Sequence, residues 1–501
     1  MFQKNKFLLK TTSLLFCVGS HLAVDAQNSR QDTLHSVQDE RVLNRSRYTA
    51  NPVSLVQSGL PRHGFAGINA GYTTGDYRRP MQAKNITSIT GETGGYRTLN
   101  DWTYQGYFSY GKRYDKVVAW SGVMDPYEGN PFIWADSSSG NWERDEVKAN
   151  IALITPQIQK FRFGLALDYT ISTGARDNDP RPFFRYRDIA LRPGMTYQIN
   201  ATSEVGLTGS AGFAKEEAEV GFYTRNANVL LYRLRGFGTF SKSPFVNGER
   251  RREEIRWQGS AHYAKRWKDY QFLISGYAAQ RDDEVIEGVA TPQTIGYFTG
   301  INFGGSALLY KGYEQRGKSL SLNAFMHDGY ADDVIFRAES ASFSKQGAGV
   351  KASYWKTSID KSSLWQFTLH PSFSYYNYTD QGTRTAFDVS IATVAAEARY
   401  RKQLRSNLHF FIAPTISYSL PVDDFYTSSR PNVVTDALVF PDYLYFAFRS
   451  TGLDLDTGFE VKPARSTLLH SLRFSTQNTW VAESSLFNNR NHIRLIYAII
   501  F

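Results

Sequence analysis

Residues able to do chemistry are few in this chain, and each takes its meaning from its neighbours. Gly312-Tyr313-Glu314-Gln315-Arg316-Gly317-Lys318-Ser319 matches the phosphate-loop pattern GxxxxGK[ST]. That loop works between a strand and a helix, where backbone N–H groups and the helix dipole cradle phosphate. Here Leu320, Leu322, Ala324 and Met326 alternate with Ser321, Asn323 and Phe325, the spacing of a strand, so no nucleotide site is expected. His327, Asp328, Asp332 and Asp333 form a second cluster. A carboxylate beside an imidazole can orient a water, and carboxylates together can hold a hard cation. The same residues also read as a plain solvated turn at the outer end of a strand. A third cluster, Asp177, Asp179 and Arg181, is stiffened by Pro180 and Pro182. It fits an inward constriction or partner contact as well as it fits a turn capped by its own carboxylates. The sequence has no GxSxG or HExxH motif, and its single cysteine is Cys17. These patterns point away from an enzyme and call for no metal and no cofactor.

Composition narrows the class. The 501 residues include 9 Trp, 31 Tyr and 34 Phe but one Cys. Mean hydropathy is −0.41. No apolar run beyond the N-terminus is long enough for a membrane helix, and one cysteine excludes a disulfide scaffold or a Cys-rich zinc module. Residues 1–26 read as a secretory signal: Lys4, Lys6 and Lys10 precede Leu14, Leu15, Phe16 and Val18, and Val24-Asp25-Ala26 suits cleavage before Gln27. Phe16 before Cys17 is too bulky for a lipidation site. Removing these 26 of 501 residues leaves 475 without cysteine, and losing three Lys and one Asp lowers the formal charge from +10 to +8.

The elements that must position any site are strands. Phe161, Phe163, Leu165, Leu167 and Tyr169 alternate with Arg162, Gly164, Ala166 and Asp168. The same period of two recurs at Trp102–Tyr110, at 408–420 and at 453–461, giving one apolar and one wet face. Short polar connections fall at 112–116, 156–160, 200–204, 267–269, 314–318, 360–363, 403–407 and 462–466. Longer ones fall at 75–100, 125–145, 215–250 and 422–442. Short turns at one end and long loops at the other are the pattern of an outer-membrane barrel. The reading is an all-β, transmembrane antiparallel β-barrel of about 18 strands, within a range of 14 to 18, over residues 64–501.

The final strand carries Ile493, Leu495, Tyr497, Ile499 and Phe501 on one face. A terminal Phe501 with Tyr497 four residues before it resembles the signal read by the barrel-assembly machinery. On the lumen side, Asp454, Asp456 and Glu460 face Arg473 on the next strand and Arg494 on the last. That stripe reads as cross-strand pairing of a wet wall or as solute selectivity. Arg250, Arg251, Arg252 and Arg256 border a long outer loop, where guanidinium forks would grip lipopolysaccharide phosphates. Outer-membrane lipid and lipopolysaccharide are the expected surroundings. Aromatics turned towards lipid leave no nucleic-acid face.

Residues 27–63 lack strand periodicity and read as a periplasmic tail or a hatch entering the lumen. Within them Asn51-Pro52-Val53-Ser54-Leu55 resembles an Asn-Pro-Ala-x-x-Leu type motif of the long-chain fatty-acid transporter family, with Val53 in place of the usual Ala. That resemblance implies an N-terminal hatch, Asn51 and Pro52 included, inside a 14-stranded barrel. The chain as a whole is similar to uncharacterised outer-membrane barrels of the Bacteroidota. This rests on Asn51-Pro52, on Arg176-Asp177-x-Asp179-Pro180-Arg181-Pro182 and on the Phe501 ending. It implies work beside TonB-dependent receptors in nutrient or metal uptake. The expected function is passive or plug-gated transport of a small solute. The alternatives are an accessory or receptor barrel partnering a TonB-dependent system and, further off, a hydrolase at the His327 cluster.

Overall fold

The computed structural model describes residues 49–58, 63–221, 230–243, 248–312, 316–464, 466–482 and 487–501. The signal segment, residues 27–48 and the tip of the turn at 313–315 lie outside the described residues. In chain order the strands are β1 His63–Thr74, β2 Asn85–Leu99, β3 Trp102–Val118, β4 Trp134–Ala135, β5 Gly140–Ile154, β6 Phe161–Arg176, β7 Phe183–Asn200, β8 Ser203–Val220, β9 Leu231–Leu234 and β10 Phe240–Ser243. They continue as β11 Gly248–Trp267, β12 Tyr270–Glu287, β13 Gln293–Gly312, β14 Arg316–Asp333, β15 Ala338–Thr357, β16 Ser363–Asp380, β17 Thr385–Arg405, β18 Leu408–Ser428, β19 Ser450–Val461, β20 Leu469–Val481 and β21 Asn489–Ile500.

Eighteen of these strands form one antiparallel sheet, and β1 pairs with both β2 and β21, so the sheet closes on itself. The seam is finished by the last residue: Phe501 N–H donates to Gly64 O at 2.8 Å and Gly64 N–H donates to Phe501 O at 2.9 Å. A closed barrel leaves no open sheet edge. The remaining strands, β4, β9 and β10, make a separate small sheet.

The pleat sorts residues by face. On β6, Phe163, Leu165, Leu167 and Tyr169 are exposed on the outside while Ala166 is buried within. The outward set continues through Ile189, Leu207, Trp257, Ile274, Leu320, Phe367, Ile416 and Leu495. An apolar band around a closed barrel is the surface that lipid requires. Among the described residues no helix is long and apolar enough to cross a membrane. The membrane-facing elements are strands.

One boundary moves relative to the sequence reading. Residues 112–116 are not a turn but the outer end of β3, and residues 85–99, read as loop, are strand β2. On β2 only Ile89 and Leu99 mark the outer face, so its alternation is faint. The end of β3 is charged on both faces: Lys112 pairs with Glu143, and Asp115 pairs with Arg113 and Arg144. Polar residues on both faces imitate a loop. The true connection is Asn100-Asp101, with φ of 49° and 64°, a tight hairpin turn of the primed kind. The two errors offset, so the strand count is unchanged. The other long connections also shrink. Residues 215–220 belong to β8, 140–145 to β5 and 422–428 to β18.

Candidate functional site

Three connections at the end opposite the chain termini fold back into the barrel mouth. Their described parts are residues 119–139, 230–243 and 429–449, and residues 75–84 join them. Within the first, Trp134 on β4 pairs with Arg233 on β9, and β9 pairs with β10, so two loops share one sheet. The third carries a short π turn, Thr435–Val439, and helix α1, Phe440–Ala447. Val123, Ile133, Tyr232, Leu234, Val434 and Leu438 pack together as the core of this lid. Apolar segments such as Pro131-Phe132-Ile133-Trp134 form here because, in a loop left in water, they would be a costly exposed patch.

The lid touches wall on both sides. Phe132 and Val439 pack among the lumen-facing Val285, Phe298, Phe343 and Phe387 of β12 to β17. Gly296 has room only for hydrogen, because a Cβ there would lie 2.2 Å from the Phe132 ring. On the opposite wall, Met124 packs on Trp142, Phe184 and Tyr186. Phe446 stacks on Tyr376 at 4.4 Å, and Tyr77 stacks on Tyr445 at 4.7 Å.

Charge fixes the register of these contacts. Glu128 lies between Arg252 of β11 and Arg281 of β12, 3.2 Å from the latter. Arg281 also binds Asp283 at 2.6 Å and Glu254 at 3.3 Å. It sits six residues inside Glu287 on β12, so the lid reaches about 20 Å along the strand at ~3.3 Å per residue. Asn130 donates to Asp283 at 2.8 Å, Arg250 donates to Phe132 O at 2.8 Å, and the indole of Trp134 donates to Glu287 at 2.5 Å. Burial opposes the charge of Glu128, but Arg252, Arg281 and Arg256 outweigh it and hold the carboxyl at about 2. Burial raises Asp136 in the same loop.

A second knot joins three loops. Arg79 makes a two-pronged pair with Asp442, with Nε 2.6 Å from Oδ1. Its guanidinium lies 3.6 Å over the Tyr127 ring and 5.1 Å from Phe446. The loop carrying β9 and β10 is held at its base. Arg235 binds Asp333 at 2.8 Å, and the Asp380 carboxylate accepts from Gly238 N–H at 2.8 Å, Thr239 N–H at 3.0 Å and Thr383 N–H at 2.9 Å.

The residues singled out from sequence fall as follows. The pleat divides the His327 cluster. His327 and Asp333 point into the lumen, where His327 meets the Phe343 ring edge at 4.9 Å and Asp333 binds Arg235. Asp328 and Asp332 lie on the outward register of β14, with Tyr330 exposed between them. No shared water or cation site results, and among the described residues no group of three His, Cys, Asp or Glu can hold a metal. Asp177 caps the Asn141 N–H at 2.9 Å, Asp179 pairs with Arg181 at 3.0 Å, and Pro180 O accepts from Gly221 at 3.0 Å. This arrangement is a braced turn.

Asp454, Asp456 and Glu460 are on the lumen side of β19, with Leu453 and Phe459 outside. Asp456 pairs with Arg473, while Glu460 pairs with Arg401 of β17 at 2.8 Å. Arg494 shares the lumen face of β21 with buried Ile496, opposite outward Leu495 and Tyr497. Tyr497 also bonds the His470 ring at 2.8 Å.

Asn51 and Pro52 lie against the lumen side of β6 and β7. The Asn51 amide donates to Met195 O at 2.9 Å and Leu207 O at 3.1 Å, and Pro52 sits over Gly164 and Gly194. The phosphate-loop match joins β13 to β14 as a hairpin, without the helix that phosphate needs. The arginines expected at the outer rim are also reversed. Arg250, Arg252 and Arg256 are turned inward onto Glu216, Glu128 and Glu254, and only Arg251 faces out. Carboxylates of the wall and the lid claim them before lipid can. Sequence reasoning missed Arg79, Glu128, Asn130, Phe132, Arg281 and Asp442. The signal available was the apolar density of 131–134, inside a segment read as a loop, and of 438–448, which begins inside another and runs past its end at 442.

Fold and site together define a closed 18-stranded antiparallel barrel with an inwardly folded loop lid. The chain belongs to a family described as "Family of unknown function (DUF6850)", whose model matches residues 52–501. No curated protein matches the sequence. Among solved structures it is similar to BauA, the ferric preacinetobactin receptor from Acinetobacter baumannii, at 6% identity over 87% of this chain and 80% of that one, with a TM-score of 0.40. It is similar to the ferric citrate transporter FecA at 7% identity over 88% and 79%, TM-score 0.42. It is also similar to the Pseudomonas putida toluene transporter TodX at 9% identity over 90% and 92%, TM-score 0.30. At these scores the solutes named for those proteins stay with those proteins. The 18 strands also depart from the 14-stranded architecture that the Asn51-Pro52 resemblance implied.

Proposed function

We propose that this protein is an outer-membrane barrel that moves a small solute, with the loop lid as its gate. The observation that supports this is the Glu128–Arg252–Arg281 cluster, a lid-to-wall contact deep in the lumen. A passive pore needs no such latch, so the gated form of the reading is the one favoured. The Asn51 and Pro52 contacts give the N-terminal segment a seat at the lumen wall, where it would act as a second barrier. The charged stripe of Asp454, Asp456, Glu460, Arg473 and Arg494 then lines the path between them. Insertion would rely on the barrel-assembly machinery reading the Tyr497 and Phe501 end.

The second reading is an accessory or receptor barrel beside a TonB-dependent uptake system. It is favoured by Val289, Ile335 and Phe336, apolar and exposed at the tips of outer loops 288–292 and 334–337. Single-channel recording in a planar bilayer tests the first reading. Full-length protein should stay closed, and Glu128→Ala should open in steps, more so without residues 27–58. Silence from both variants, in protein that has inserted, would overturn gated transport and leave docking.

A further inference from the structure

The outer wall carries a groove near the short-turn end that does not belong to the lumen. Ala352, Ala396, Ala398 and Pro414 form its floor, and Leu320 and Phe367 belong to its walls, in a hollow of about 820 Å³. Each of these residues is on the outward face of its strand, so the hollow opens towards lipid. Lys311 and Lys318 lie at one end of it. They are directly opposite each other on β13 and β14, which brings two ammonium groups to one level of the wall. Arg316 and Lys356 face each other on the next strand pair, outward and exposed. Among the described residues Arg316, Lys318 and Lys356 make no ion pair. Lys311 donates to the Tyr270 hydroxyl at 2.9 Å, which places an amphipathic ring at the same level, as at a membrane interface.

We propose that this groove binds one anionic phospholipid of the inner leaflet, its phosphate held by Lys311 and Lys318 and its acyl chains laid over the alanine floor. The inference rests on the membrane-barrel reading and on short turns facing the periplasm. A second outer hollow of about 710 Å³, over Gly209, Gly259 and Gly276, has no charged side chain in its lining. It is the internal control, apolar but without a head-group clamp.

The test is native mass spectrometry of the full chain released from vesicles of phosphatidylglycerol and phosphatidylethanolamine. Wild type should retain one phosphatidylglycerol. Lys311→Gln with Lys318→Gln should lower retention about 30-fold, since each basic side chain at an anionic lipid surface contributes about fivefold. Ala396→Phe fills the floor and leaves the charges, and should also abolish retention. Undiminished retention in either variant would overturn the proposal, the second by reducing the site to a phosphate contact without acyl recognition. Protein that inserts into vesicles yet retains no lipid refutes this site alone. Protein that does not insert refutes the barrel reading beneath it.

Discussion

The barrel wall and the lid inside it are built from similar residues by opposite means. On β6 and β7 the backbone is paired residue by residue from Phe161↔Tyr197 to Ala175↔Phe183, and stability is spread over the whole ladder. In the lid, β4 contributes two backbone partners, and π turn and α1 together span only residues 435–447. Its shape depends on Glu128, Arg79, Asp442 and Phe132. A distributed structure tolerates single changes, whereas one resting on a few buried charges does not. The lid is therefore the part of this molecule that a single proton or substitution can release.

Three measurements would break or sharpen that contrast. The largest effect is expected from Glu128→Ala, which removes the lid's carboxylate from Arg252 and Arg281 and leaves them only the wall's own Glu254 in common. Removing one partner of a buried pair costs ~3–5 kcal/mol. Hydrogen exchange across 119–139 should accelerate by two orders of magnitude or more while β6 and β7 stay protected. Equal acceleration in both regions would mean that lid and wall unfold as one unit.

Acid should act next. Glu128 is held at about 2 against an ordinary 4.5, so its contribution is complete above 4.5 and is lost as pH falls towards 2. Asp136 is raised by burial and works the other way, taking up a proton earlier and favouring the folded lid as it does. Channel opening in a bilayer should therefore be absent from pH 7 to about 4.5 and grow only below it. Opening already at pH 6 would remove Glu128 from the latch.

The smallest effect belongs to the wall. Leu320 is exposed towards lipid, and Leu320→Ala leaves a space that acyl chains refill, so urea unfolding from vesicles should shift by less than ~1 kcal/mol. Buried Leu→Ala changes cost ~2–5 kcal/mol. A shift of that size would show Leu320 packed against protein.

Legibility followed the same division. Period two in 161–169 and 408–420 announced the strands, since alternating side chains must face lipid and water in turn. The outer end of β3 was lost because a strand that rises above the bilayer is wet on both faces. Asp454, Asp456 and Glu460 could be assigned to one face by counting. His327 and Asp328 looked like partners because they adjoin in sequence, and the pleat separates them for that same reason.

Sequence alone determined the antiparallel barrel and the faces of its wall residues, with a strand number of about 18 in a range of 14 to 18, because a two-residue period and turn chemistry are local properties of the chain. Only the tertiary structure decided what occupies the mouth. Glu128 meets Arg252 across 124 residues and Arg79 meets Asp442 across 363. No local pattern encodes such a meeting: it exists once barrel closure has brought distant loops to one rim, where burying their apolar segments compels the charges beside them to find partners.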